Sequence, residues 1–304
     1  MRAHRLARPA LGLILAALLL LALPGCAAGA SAQRLVLLVQ SDEGFYWENL
    51  LSGALLAAQD AGWQAEVRLL DPEADLASQL PSPAEASLAA LALDGAQGAV
   101  SLESEVPLAA LGCEVSGASA EIAGEETTIG KRTGQLIAQK LGLQKRFLLL
   151  SGAETYSQDD WEVALRGELG LQGSLISARL CTQSEEEAYA FCFSMLSQDS
   201  RIDGIVCRTQ AATRGALRAV RTLGLQTPIV AADFDDDIAL GLRDGLIPFS
   251  VVRNAYAYGY AGTEAALARV SGHWKDLPDR VDAVYVDANN MFDDEMLLYL
   301  YDID

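Results

Sequence analysis

Along most of its length the chain alternates short unbroken apolar runs with longer stretches whose apolar positions return every three or four residues. Apolar runs of strand length fit a sheet covered on both faces, and the longer period fits helices lying on that sheet. The first cycle is the run Arg34 to Gln40, a turn at Ser41-Asp42-Glu43-Gly44-Phe45, and a helix from Tyr46 in which Trp47, Leu50, Leu51, Ala54, Ala58 and Ala61 recur before Gly62. The pattern then predicts a strand at Ala65 to Leu70, a helix at Ala84 to Leu93 and a strand at Gly98 to Leu102. Between Glu103 and Glu126 the pattern is broken by Gly112, Gly117 and Gly124, leaving Val106 to Leu111 and Cys113 to Ser116 as the apolar segments.

The second half is more regular. It reads helix Lys131 to Leu141, strand Arg146 to Leu150, helix Asp159 to Leu169, strand Ser174 to Leu180, helix Glu185 to Leu196, strand Gly204 to Arg208 and helix Ala211 to Leu223, with Gly142 and Gly224 as stops. Strands alternating with helices of about 10–15 residues predict a parallel sheet with right-handed crossovers. Asp94-Gly95 before one strand and Asp203-Gly204 before another make the two halves look like versions of one plan. Without its first 25 residues the chain is still large for one hydrophobic core, which predicts two lobes.

The most informative stretch runs from Thr227 to Leu267. A short strand, Pro228 to Ala232, ends in Asp233; a helix stops at Gly245; a second strand, Ile247 to Val252, ends in Arg253. Ligands of open α/β sheets bind beyond the carboxyl ends of the strands, so Asp233 and Arg253 are placed to meet one; an internal ion pair between them is an equal reading. The cluster Asp233, Asp235, Asp236, Asp237 begins like a calcium loop, but Ile238 and Asp244 stand where that loop needs glycine and a bidentate acid. These acids are expected to cap the following helix and meet the positive end of its dipole.

The amino terminus changes the setting. Arg2, Arg5 and Arg8 precede an uncharged run from Ala10 to Leu23, which is shorter than the roughly 20 residues of a spanning helix and reads as an export signal over residues 1–25. Leu23-Pro24-Gly25-Cys26 resembles a bacterial lipoprotein box, with Cys26 as the lipidated first mature residue; cleavage after Ala28 or Ala30 is the alternative. Both readings place the protein outside the cytoplasm, and the first anchors it to the cell membrane. The formal charge is −19, which disfavours nucleic acid and anionic headgroups as partners. Cys113, Cys181, Cys192 and Cys207 allow three pairings and have no metal-site spacing, and Cys207, in an apolar strand, is expected to be a buried thiol. Neither a phosphate loop nor a nucleophile elbow is present, and beyond the signal His273 is the single histidine. An enzyme with a Ser-His-Asp or His-rich metal centre is hard to build from this set, and no cofactor or metal is expected.

Val230-Ala231-Ala232-Asp233, Leu242-Arg243-Asp244-Gly245, Tyr256-x-Tyr258-Gly259-Tyr260 and Glu264-Ala265-Ala266-Leu267 resemble the type I periplasmic sugar-binding proteins, the ribose- and galactose-binding group. The resemblance spans about Arg34 to Asp304. It implies an α/β fold of two doubly wound parallel-sheet lobes joined by a three-strand hinge: residues 33–126 with 254–281, and 127–253 with 282–304. It also implies a monomeric capture protein, not an enzyme, that closes on a small sugar-like ligand and passes it to a membrane-embedded ABC permease or signals to a sensor kinase. The residues it carries over are Asp42 in the loop after the first strand; Tyr46 and Trp47, the latter equally readable as a core anchor; Trp161 and Glu162; Thr209 and Gln210; and Asp233 and Arg253. An arginine at 253, where the family usually has an amide, suits carboxylate or phosphate and points to an anionic or mixed ligand.

Overall fold

The computed structural model describes residues 33–93, 100–151, 160–182, 184–272 and 280–294, with 296 and 300. The signal, Cys26, Asp94-Gly95 and His273 lie outside these residues.

Two six-stranded sheets are built on the same plan. The first uses β1 (Arg34–Val39), β2 (Gln64–Leu69), β3 (Leu88–Ala92), β5 (Leu108–Leu111), β7 (Ala120–Gly124) and β13 (Arg280–Val281), in the order β13-β7-β5-β3-β1-β2 and parallel throughout. The second uses β8 (Arg146–Ser151), β9 (Leu175–Cys181), β10 (Gly204–Cys207), β11 (Ile229–Ala232), β12 (Ser250–Val252) and β14 (Val284–Val286), in the matching order β14-β12-β11-β10-β8-β9, with β14 alone antiparallel. The internal repeat seen in the strand order of the sequence is therefore a repeat of sheets. A two-stranded ribbon, β4 (Val100–Ser101) with β6 (Val115–Ser116), stands apart.

Side-chain alternation sends each strand's apolar residues to both faces. Leu35, Leu37 and Val39 of β1 join Leu88, Ala90, Ala109 and Leu111 under α1 (Phe45–Asp60), whereas Val36 and Leu38 join Ala89, Leu91, Leu108 and Ala110 on the opposite face. In the second sheet Leu148, Leu150, Ile205, Ile229 and Ala231 face one core, and Phe147, Leu149, Val206 and Val230 face the other. Helices cover both faces here: α2 (Glu126–Leu141) packs with α3 (Asp160–Leu171), and α4 (Glu185–Gln198) with α5 (Gln210–Leu223) and the short α6 (Asp236–Arg243).

The first sheet is dressed differently. α1 and α7 (Ala255–Val270) pair over one face, but the other is covered by the 3-10 turn Leu76–Gln79, the ribbon and the connections around Ala86, Leu102, Val106 and Cys113. This corrects two expectations from the sequence. Ala84 to Leu93 is not a helix, because Leu88–Ala92 lies fully buried between β1 and β5 as a strand. Gly98 to Leu102 is not a main-sheet strand among the described residues, since Val100–Ser101 pairs with β6 alone.

The chain passes between the sheets three times: after β7 into α2, after β12 into α7, and between β13 and β14. The first and third passages are tied together, with the Glu125 N–H donating to the Val281 carbonyl at 3.1 Å.

Candidate ligand-binding site

The carboxyl ends of the second sheet's strands run straight into charged residues. After β10 comes Arg208, after β11 Asp233, and after β12 Arg253; all three side chains are buried. Burying an ion is tolerable only where partners replace water. Arg253 meets Asp233, with Nη2 at 3.3 Å from Oδ2, and its guanidinium lies 4.5 Å from the centroid of the Tyr46 ring. Arg208 donates from Nη2 to Oε2 of Glu126 at 2.6 Å, and its guanidinium lies 4.7 Å from the centroid of the Trp161 ring. Both arginines thus combine a carboxylate at the edge with an aromatic face below.

The backbone sets this up. Asp233 sits at φ 60, a left-handed conformation that aspartate tolerates better than most residues. It is held there by its N–H donating to Val251 O at 3.0 Å and its carbonyl accepting from Ser250 Oγ at 2.5 Å. From the first lobe, Gly112 at φ 71 leaves room for two tyrosines: a Cβ there would strike the Tyr46 hydroxyl and come within 2.9 Å of the Tyr258 ring. Gly124 leaves room for the Tyr258 hydroxyl and for Glu126.

Tyr258 is the meeting point. Its hydroxyl is buried with no hydrogen-bond partner among the described residues. Burial holds the phenol well above its usual range, with the Glu126 charge adding to that and Arg253 and Arg208 opposing it, so both ion pairs act on this one group. Nε of Arg208 and Nε1 of Trp161 are likewise buried and without a partner among the described residues. The floor between the lobes therefore carries donors in excess of what the described residues use.

The lobes also touch nearer the rim. Phe45 meets Phe234 edge to face, with centroids 6.0 Å apart, and Gln210 Oε1 approaches within 3.5 Å of where a Cβ on Gly44 would lie.

Of the residues singled out in the sequence, Tyr46, Asp233 and Arg253 come together directly, and Trp161 lies under Arg208. Gln210 lies at the rim, its amide donating to Phe234 O at 2.9 Å. Thr209 is spent on α5, its Oγ1 accepting from Ala212 N at 3.2 Å as the cap. Trp47 packs on the first-lobe core and stands edge-on to Tyr46 at 5.1 Å. Glu162 is fully buried between two guanidiniums, Arg166 at 2.7 Å and Arg179 at 2.9 Å. Asp42 is exposed in the loop before α1. Asp235 caps α6 as expected, accepting from Ile238 N at 2.7 Å.

Three residues of the floor were not singled out as ligand contacts. Arg208 gave a usable signal, since it ends an apolar strand just as Asp233 and Arg253 do. Tyr258 is hidden in the apolar period of α7, and Glu126 looks like one more acid among 41. Among the described residues no group of three metal-ligating side chains comes together.

Twin parallel sheets joined by three passages, with charged and aromatic side chains gathered where strands end, define a two-lobed binding-protein fold. A model of the periplasmic binding protein domain matches residues 114–273, more than half the chain, and the chain belongs to that family, whose members are not enzymes. No curated protein matches the sequence. Among solved structures, the substrate-binding protein of a sugar ABC transport system from Bordetella parapertussis is 12% identical, with a TM-score of 0.76 over 90% of this chain and 94% of that one. An ABC transporter solute-binding protein from Agrobacterium vitis, bound with alpha-D-tagatopyranose, is 15% identical, with a TM-score of 0.74 over 89% of this chain and 100% of that one. A XylFII–LytSN complex contains a chain 16% identical, with a TM-score of 0.71 over 84% of this chain and 98% of that one.

Proposed function

We propose that this is an extracytoplasmic solute-binding protein, anchored through lipid on Cys26, that captures a small polar, sugar-like ligand between its lobes and delivers it to an ABC importer. The observation that carries the reading is the floor formed by Arg208, Asp233, Arg253, Tyr46 and Trp161 at the strand ends. Charged groups there offer hydrogen bonds to hydroxyls, and aromatic rings offer apolar faces. Asp42, Gln210, Trp47, Thr209 and Glu162 complete the set of residues proposed to contact or orient the ligand. Residues 33–126 with 254–281 would close over 127–253 with 282–304, the three passages acting as hinge. The similar solute-binding proteins of known structure, including one with a bound sugar, support the class.

A fluorescence screen of the purified protein against sugars, polyols, nucleosides and amino acids tests it. A saturable change with one group of polyhydroxy compounds is the expected result; saturation by amino acids alone would overturn the sugar-like assignment. The second reading is a ligand-sensing accessory for a membrane sensor kinase, favoured by the likeness to the XylFII–LytSN complex. Co-purification of a permease or of a kinase with the anchored protein decides between them.

A further inference from the structure

The donors left over on the floor specify more than a generic polyol. Arg208 presents its Nε–Nη2 edge, the side of a guanidinium that matches the two oxygens of a carboxylate. Glu126 uses only half of that edge: it takes Nη2 at 2.6 Å, while Nε remains buried without a partner among the described residues. A buried guanidinium N–H left this way is costly, and a second oxygen in the plane of the fork removes the cost.

The two ion pairs of the floor differ in a telling way. Asp233 is 6% exposed and locked by its backbone, whereas the Glu126 side chain is 23% exposed and sits in the first turn of α2, with solvent to turn into. One carboxylate is fixed and the other is displaceable. Replacing Glu126 by a ligand carboxylate keeps one negative charge against Arg208 and completes the fork that Glu126 leaves half used. The Tyr258 hydroxyl shares the space beside Gly124 with Glu126, and the Trp161 ring, with its buried Nε1, lies under Arg208; the hydroxyl and Nε1 offer hydrogen bonds to hydroxyl oxygens.

We propose that the site selects a sugar acid, a polyhydroxy ligand bearing one carboxylate, which seats bidentately on Nε and Nη2 of Arg208 and displaces Glu126. This rests on the solute-binding reading above and narrows it. The formal charge of −19 repels such a ligand at long range, so its capture accelerates with added salt, while retention is set by the two short-range arginines.

The test is calorimetric titration of the protein with D-galacturonate and D-glucuronate against their neutral parents, D-galactose and D-glucose. A charge-assisted fork gained or lost corresponds to roughly tenfold to a hundredfold in affinity, so at least one acid should bind tighter than its parent by that factor. Glu126→Gln removes the competing charge and should tighten the acid further without improving the neutral sugar. Arg208→Gln should bring the acid down to its parent's level. Should the arginine variant fail to fold, as its melting curve would reveal, the glutamate variant still decides. Neutral sugars binding as tightly as the acids, or Glu126→Gln weakening the acid, overturns the sugar-acid inference and leaves a sugar-binding protein. If none of the four binds, the sugar-acid inference falls; if the fluorescence screen is blank as well, the solute-binding reading falls with it.

Discussion

At the level of single residues the floor is a set of buried charges that stabilise only as pairs. Removing one partner takes a compensating charge from the other, and the loss is typically about 3–5 kcal/mol, although swapping both for apolar groups is often nearly neutral. Asp233→Ala is therefore expected to abolish tight binding and also to lower the melting midpoint by on the order of 10 °C, each kcal/mol counting for about 2–4 °C in a chain of this size. Asp233→Ala with Arg253→Leu should recover most of the midpoint without recovering binding. Thermal melts of the four members of the cycle check this, and a double variant no more stable than the single one would show that the pair is not what holds the strand ends. The cysteines make a contrasting case: burial pushes the Cys113 thiol up to about 11 and the Cys192 thiol up to about 12, and Cys207 well above its usual range. Thiolate is the reactive form, so at pH 8 a thiol reagent should leave these three unmodified until denaturant is added. The strand-end charges were legible in the sequence because an apolar run that stops at Asp233 or Arg253 names its own terminus. The Asp233–Arg253 pair was one of the two readings the sequence allowed. The other partners were not legible, since nothing local connects Glu126 to Arg208 or Tyr46 to Arg253.

Among the elements, the best-read part of the chain is the second sheet, where β8 to β12 and α3 to α6 were placed to within a few residues, although α2 begins at Glu126 rather than Lys131 and β14 was not read as a strand. Both its faces carry helices, so strands and helices alternate and the period changes cleanly from one to the next. The first sheet misled because Leu88–Ala92, a buried strand of leucine and alanine, has the composition of a helix, and no β-branched residue marks it otherwise. Neighbouring β1 and β5 supply the ladder that overrides propensity. The pairing of α1 with α7 rests on two glycines: a Cβ on Gly259 would collide with Leu50 O, and one on Gly53 with Tyr256 O. Gly259→Ala is expected to force the helices apart at a cost of about 1–3 kcal/mol, more than offsetting the gain of up to about 1 kcal/mol from better helix propensity. Gly167, on the exposed side of α3, has nothing within 4 Å of such a Cβ, so Gly167→Ala should show the propensity gain alone. Denaturant melts should move in opposite directions for the two variants; a stabilised Gly259→Ala would mean that the close approach is not required.

For the molecule as a whole, the repeated strand order makes two similar lobes, and the three passages between them leave hinge bending as the softest motion. Their floors are not equivalent: the second lobe brings the arginines, the first brings Tyr46 and Tyr258, and Glu126 stands at a passage between them. On the capture reading proposed above, a ligand bound there would touch all three and so favour the closed arrangement by its differential contacts. Only folded protein binds, and stability then rises by RT ln(1 + [L]/Kd), about 2.7 kcal/mol at a hundredfold excess of ligand over Kd. That corresponds to a melting midpoint higher by about 5–10 °C. Because Phe45 and Phe234 already meet across the rim, closure on a ligand has to keep or re-form that contact, and Phe234→Ala should widen the distribution of lobe separations in the unliganded protein. Solution scattering reads both effects: the radius of gyration falls when ligand is added to the wild type, and the Phe234→Ala protein starts larger and falls further. A ligand that raises the melting midpoint of both proteins while leaving both scattering profiles unchanged would point to a preformed pocket and count against capture by hinge closure.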